Sequence, residues 1–184
     1  ARSLVARDVL HRCPSMISPL SLANLLALLV ALVCLWTVSP QARGGVVRLW
    51  RLAIPAVFAS IVALMLLSSV FEATFQHDAE WVIALVLGGI IGRSRGWTLA
   101  VEIDQRFGLA RLPRTVDALV IAFFLVGLAA LDFISAALEE AFIAPEHVAA
   151  GAAFCAGFLG CRALAIIVRA TRAPHVGLHD ATRG

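Results

Sequence analysis

The chain has 184 residues, 61% of them hydrophobic, a formal net charge of +3 and a mean hydropathy of +0.92. A soluble domain of this length cannot hide so much apolar surface, so the composition excludes a water-soluble globular protein and makes lipid the main solvent. The 15 basic residues are all Arg, mostly at the ends of apolar stretches, which points to membrane topology and anionic lipid rather than nucleic acid.

In chain order, residues Arg2 to Arg12 place Leu4, Val5, Val9 and Leu10 roughly on one helical side, which suits an interfacial segment. Ser18 to Val38 and Leu52 to Phe71 each reach the roughly 20 residues that a helix needs to cross a bilayer. The first of these is kept as a helix rather than a signal peptide. Its apolar run is long for one, and Pro40 to Ala42 makes a poor small-x-small cleavage site. The third stretch, Trp81 to Gly92, rises only about 18 Å, short of the roughly 30 Å hydrocarbon core. A re-entrant loop there puts the Arg-rich segment that follows on the acidic side. A span starting near Phe75 avoids this and sets Gln76, His77 and Asp78 in the outer headgroup layer or against protein. Val116 to Leu138 and Val148 to Val168 complete the set, so the expected spans are 18–38, 52–71, 75–92, 116–138 and 148–168. No polar stretch exceeds about 25 residues, which leaves no room among these residues for a separate catalytic domain.

The loops set the orientation. Arg43, Arg48 and Arg51 lie in the first loop. Arg93, Arg95, Arg106, Arg111 and Arg114 lie in the third, and Arg169, Arg172 and Arg183 follow the last span. By the positive-inside rule this side is cytoplasmic, with the N-terminus outside and the C-terminus inside. Glu72, Asp78 and Glu80, then Glu139, Glu140 and Glu146, mark the other side, and Arg2, Arg7 and Arg12 are the exception to the rule.

The third loop has a pattern of its own. Trp97, Leu99, Val101 and Ile103 alternate with Thr98, Ala100 and Glu102, the period of a strand with one greasy face. Turn chemistry at Asp104 to Gly108 and a second apolar run, Leu109 to Leu112, predict a β-hairpin. Its apolar face is expected on the membrane surface or over helix ends, with Glu102 and Asp104 in water. The segment Ile91-Gly92-Arg93-Ser94-Arg95-Gly96-Trp97, with Val101-Glu102-Ile103-Asp104, Phe107-Gly108 and a fresh span, resembles the CcdC-like small bacterial membrane proteins. The resemblance covers about forty residues. It implies a bacterial inner-membrane location and a loose link to cytochrome assembly, and it transfers no catalytic residue.

Small residues and stray charges complete the reading. Gly88 and Gly92 form a GxxxG, and Ala153, Gly157 and Gly160 belong to a wide small-residue face on the last span. Such spacing lets helix backbones approach closely, either within the chain or against a partner subunit. Arg162 and Asp117 stand at compatible depths for an intramembrane pair, and snorkelling by Arg162 is the alternative. Asp132 lies near the outer side, with His147 as its nearest candidate partner and proton-linked transport as its functional reading. Cys13, Cys34, Cys155 and Cys161 show no metal spacing and read as packing filler. His11, His77, His147, His175 and His179 form neither a mid-membrane haem pair nor an HExxH set. The expectation is an all-α membrane protein of five transmembrane helices with a cytoplasmic hairpin between the third and fourth. It carries no catalytic residue, cofactor or metal. It lies in a bilayer and acts as an accessory or assembly subunit of a larger complex; the alternative is a small transporter or channel using Asp132 and Arg162.

Overall fold

The computed structural model describes residues 19–68, 75–104, 108–138 and 143–172. The interfacial segment at residues 2–12, His11, Cys13, Glu72, Arg106, Glu139, Glu140, His175, His179 and Arg183 lie outside these, as do the side chains of Gln76, His77 and Asp78.

The described residues form nine elements. Helix α1 is Pro19–Ala42, strand β1 is Gly45–Arg48, and a single 3-10 turn, Leu49–Leu52, leads into α2, Ala53–Ser68. Helix α3 is Phe75–Thr98, β2 is Glu102–Asp104, β3 is Leu109–Leu112, α4 is Asp117–Leu138 and α5 is Pro145–Arg172. Proline opens α1 and α5 where its missing N–H is not needed. Asp117 and Glu146 meet the positive helix start, and Arg169 and Arg172 the negative end of α5. After α1 the chain turns sharply through Gly44 (φ 75°) and Gly45 (φ 128°), a conformation that side chains resist.

Among the described residues, four helical stretches are long and apolar enough to cross a membrane: Leu22–Ala42, Leu49–Ser68, Asp117–Leu138 and Pro145–Arg172. The 24-residue α3 equals α1 in length, but charges at both ends confine its apolar part to Trp81–Gly92.

Helix α5 is the centre of the bundle. It packs on α2, α3 and α4, and 61% of its apolar window is buried, against 28% in each of the other three. Its wide small-residue face, which the sequence left open to an outside partner, is largely used by three neighbours of its own chain. Alanines fill the helix contacts of the bundle: Ala31 on α1, Ala122 and Ala129 on α4, Ala149 and Ala152 on α5 are all buried. Lipid supplies no hydrophobic drive between helices, so close van der Waals packing has to hold them. Cys34 and Cys155 are buried in the same core, and the Cys34 thiol donates to the Pro55 carbonyl at 3.4 Å.

The expected hairpin is present, with three changes. First, the predicted strand from Trp97 to Ile103 is shorter: α3 continues to Thr98 and β2 begins only at Glu102. The helical run wins over the period-two pattern because its last turn is packed and capped by α5. Second, the hairpin gains a strand from the first loop, giving the antiparallel order β1-β3-β2, with Arg48 opposite Leu109 and Glu102 opposite Arg111. Val46 and Val47 carry the strand propensity, but their partner lies more than sixty residues away, beyond any local signal. Third, Glu102 is exposed as expected, whereas Asp104 is buried, at 1% exposure. Alternation assigns a face, not its covering. At that end of the sheet Leu109 lies opposite Asp104, and the Leu49 N–H donates to the Gly108 carbonyl at 2.9 Å, so three segments converge there. The apolar side of the sheet covers a helix end: Leu112 packs with Ala163 and Ile166, and Ala110 with Ala170.

Candidate functional site

The chemistry-bearing residues collect along the seam between α3 and α5 and at its two ends. Gly88, Gly92 and Gly96 repeat every four residues on one face of α3. A Cβ at Gly88 would run into the backbone of Phe154, one at Gly92 into that of Phe158, and one at Gly96 into Ala165 and the Arg162 carbonyl. From the other side, a Cβ at Gly157 would strike the Leu85 carbonyl, and Gly89 faces the Cys161 sulfur. Residue numbers rise together on both helices, so α3 and α5 run parallel. Backbone against backbone at this range allows weak Cα–H···O contacts that bulkier residues forbid.

Two of the small residues named from sequence point elsewhere. A Cβ at Gly160 would meet nothing within 4 Å, and this glycine borders a groove beside α2. Ala153 lines an apolar cleft of about 200 Å³ between α2 and α3, floored by α5 and walled by Ser60, Leu67, Trp81 and Leu85. The groove and the cleft share Ser60 and Leu64 and so run on from one another. The Trp81 indole nitrogen is buried without a hydrogen-bond partner among the described residues.

At the sheet end, Arg162 is 4% exposed and joins α5 to the start of α4. Its Nε donates to Asp117 Oδ2 at 3.3 Å and its Nη2 donates to Thr115 Oγ1 at 3.1 Å. The Asp117–Arg162 pair expected from depth is therefore formed, and snorkelling is not needed. Asp117 Oδ1 is buried without a hydrogen-bond partner among the described residues. Two turns on, Arg169 caps α3: its Nη1 donates to the carbonyls of Gly96, Trp97 and Leu99 at 3.0, 2.9 and 2.6 Å, and its guanidinium lies 5.9 Å from the Trp97 ring.

At the far end, His147 Nδ1 meets Glu80 Oε2 at 3.5 Å, tying the start of α5 to α3. His147 thus pairs with Glu80 rather than with Asp132. Asp132 is half-buried, and its Oδ2 has no hydrogen-bond partner among the described residues. No three His, Cys, Asp or Glu side chains among the described residues converge as metal ligands.

Sequence reasoning misses Gly96, Thr115 and Arg169. Gly96 is legible, since it extends the Gly88/Gly92 spacing by one more turn; ending the helix at Gly92 hides it. Arg169 as a cap has no local signal, because its partners lie some seventy residues earlier. Comparison of the chain with family models, curated proteins and solved structures found no match. The resemblance of the hairpin segment rests on its residues alone.

Proposed function

We propose that the chain is a non-enzymatic, five-span membrane protein of a bacterial inner membrane. It acts as an accessory or assembly subunit that seats a helix of a larger complex in the groove between α2 and α3. The observation that carries this reading is the cleft itself: α5 lines it with Ala149, Ala153 and Ala156, leaving room at backbone depth between two walls. Small residues on a groove floor admit a helix backbone, the mode of close association in lipid.

The fifth span is supported by α3 lying parallel to α5 along its length, with Arg169 at one end and Glu80–His147 at the other. It is supported also by the sheet, which holds the α1–α2 and α3–α4 connections at the same end of the bundle. The arginines of that end favour a cytoplasmic side.

Substitutions that fill this site without touching the seam are Ser60→Leu, where the cleft meets the groove beside α2, and Gly160→Leu in that adjoining groove. Mass spectrometry on the protein extracted from its native membrane in mild detergent should find a stoichiometric partner with the original chain. That partner should be absent from both variants, which still insert. A lone monomer or homo-oligomer from the original chain would sink the proposal. Gly88→Leu and Gly157→Leu are unsuitable here, because both would break the bundle itself.

A second reading, proton- or substrate-coupled transport, is favoured by one observation, the buried Asp132 oxygen with no partner among the described residues. Asp132→Asn should then abolish flux in proteoliposomes; unchanged flux dismisses the role.

A further inference from the structure

We propose that the sheet end of the molecule is a docking surface for anionic phospholipid headgroups, with the cleft beside Arg111 as the seat of one lipid phosphate. This proposal does not depend on the accessory-subunit reading. Arg48, Arg51, Arg93, Arg95, Arg111 and Arg114 are all exposed at this end, contributed by the first loop, the end of α3 and the sheet. Among the described residues the opposing acids are few. Asp104 is buried, Asp117 is held by Arg162, and Glu102 is the exposed carboxylate.

Depth is marked by two tryptophans. Trp50 is 58% exposed and Trp97 44%, and each has a guanidinium near its ring, Arg51 at 5.7 Å and Arg169 at 5.9 Å. An aromatic ring stacked with a cation suits the layer where hydrocarbon meets phosphate. The helices beside this end expose large apolar side chains such as Val57, Ile91 and Leu164, so the phosphates they bring nearest are those of the bilayer.

The cleft, about 490 Å³, is bordered by Gly45, Glu102, Arg111 and Arg169. Gly45 leaves it open, since nothing lies within 4 Å of where a Cβ would be. The Arg111–Glu102 pair across it is 3.4 Å long and more than half exposed on both sides, so it is weak and a phosphate can compete for Arg111. Glu102 is then an opponent of the ligand, which gives the test a sign that a structural role would not share.

The test uses the full chain in neutral detergent, titrated in native mass spectrometry with phosphatidylglycerol, phosphatidylcholine or inorganic phosphate. Phosphatidylglycerol should be retained over phosphatidylcholine, and the preference should shrink as ionic strength rises. The triple variant Arg48→Gln/Arg111→Gln/Arg114→Gln should lose about a hundredfold in that preference, from roughly fivefold per arginine. Glu102→Gln should strengthen it. Equal retention of the two lipids overturns the proposal, as does an unchanged preference in the triple variant or weaker binding in Glu102→Gln. Inorganic phosphate that displaces the lipid at equal concentration overturns it too, by making the cleft a small-anion site. Should the triple variant not fold, the salt dependence of the original chain and the Glu102→Gln variant decide.

Discussion

Gly88, Gly92 and Gly96 matter through the side chains they lack. Each sits where even a methyl group would overlap the backbone of α5, so Gly92→Leu should cost about 3 kcal/mol or more, read as loss of the folded state in a detergent unfolding titration. Gly160→Ala, with open space around it, should change stability by no more than about 0.5 kcal/mol in the same titration. The Arg162–Asp117 pair has the opposite logic. Removing one partner strands a buried charge, so Asp117→Leu alone should cost about 3–5 kcal/mol. The double variant Asp117→Leu/Arg162→Met should recover most of that loss, and a double variant as unstable as the single one would deny that the pair is the cause. Gly88, Gly92, Gly160 and the two charges were legible in the sequence because spacing and depth are local properties. Which glycine faces its own chain and which faces outward was not, because that depends on the neighbours of α5.

At the scale of elements, α3 shows how a helix boundary is decided. Arg93 and Arg95 look like its end, and the alternation from Trp97 looks like a strand. The helix persists because Gly96 packs on α5 and Arg169 collects the carbonyls of its last turn. Charge-assisted hydrogen bonds of this kind contribute about 1.5–3 kcal/mol each. Arg169→Gln should therefore raise amide hydrogen exchange at residues 94–98 and leave the middle of α3 protected. Unchanged exchange at those amides would remove Arg169 as the cap. The hairpin turn was visible from Asp104 to Gly108, but β1 was not, since a four-residue strand takes its stability from a partner in another loop.

For the whole molecule, the question is whether α3 crosses the bilayer. Its composition falls short of the four clear spans, yet its neighbours require it to run from the far end of α2 back to the sheet. In a cysteine-free background, Ser68→Cys and Ser94→Cys should react with an impermeant maleimide from opposite sides of the membrane. Labelling of both from the same side would remove α3 from the set of spans. On the five-span reading, α5 shields the glycine-lined side of α3, whereas a helix alone in lipid would need a longer apolar run.

The sequence by itself determined the solvent, the helical stretches, the charge asymmetry and the matching depth of Arg162 and Asp117, because hydropathy, helix rise and charge act over a few residues or a single depth. The tertiary structure alone decided that α5 is the central helix, that α3 lies parallel to it, and that Arg169 and β1 join segments far apart in the chain. It also decided that a cleft remains between α2 and α3. These depend on which backbones approach one another, and small residues permit a close approach without naming the partner.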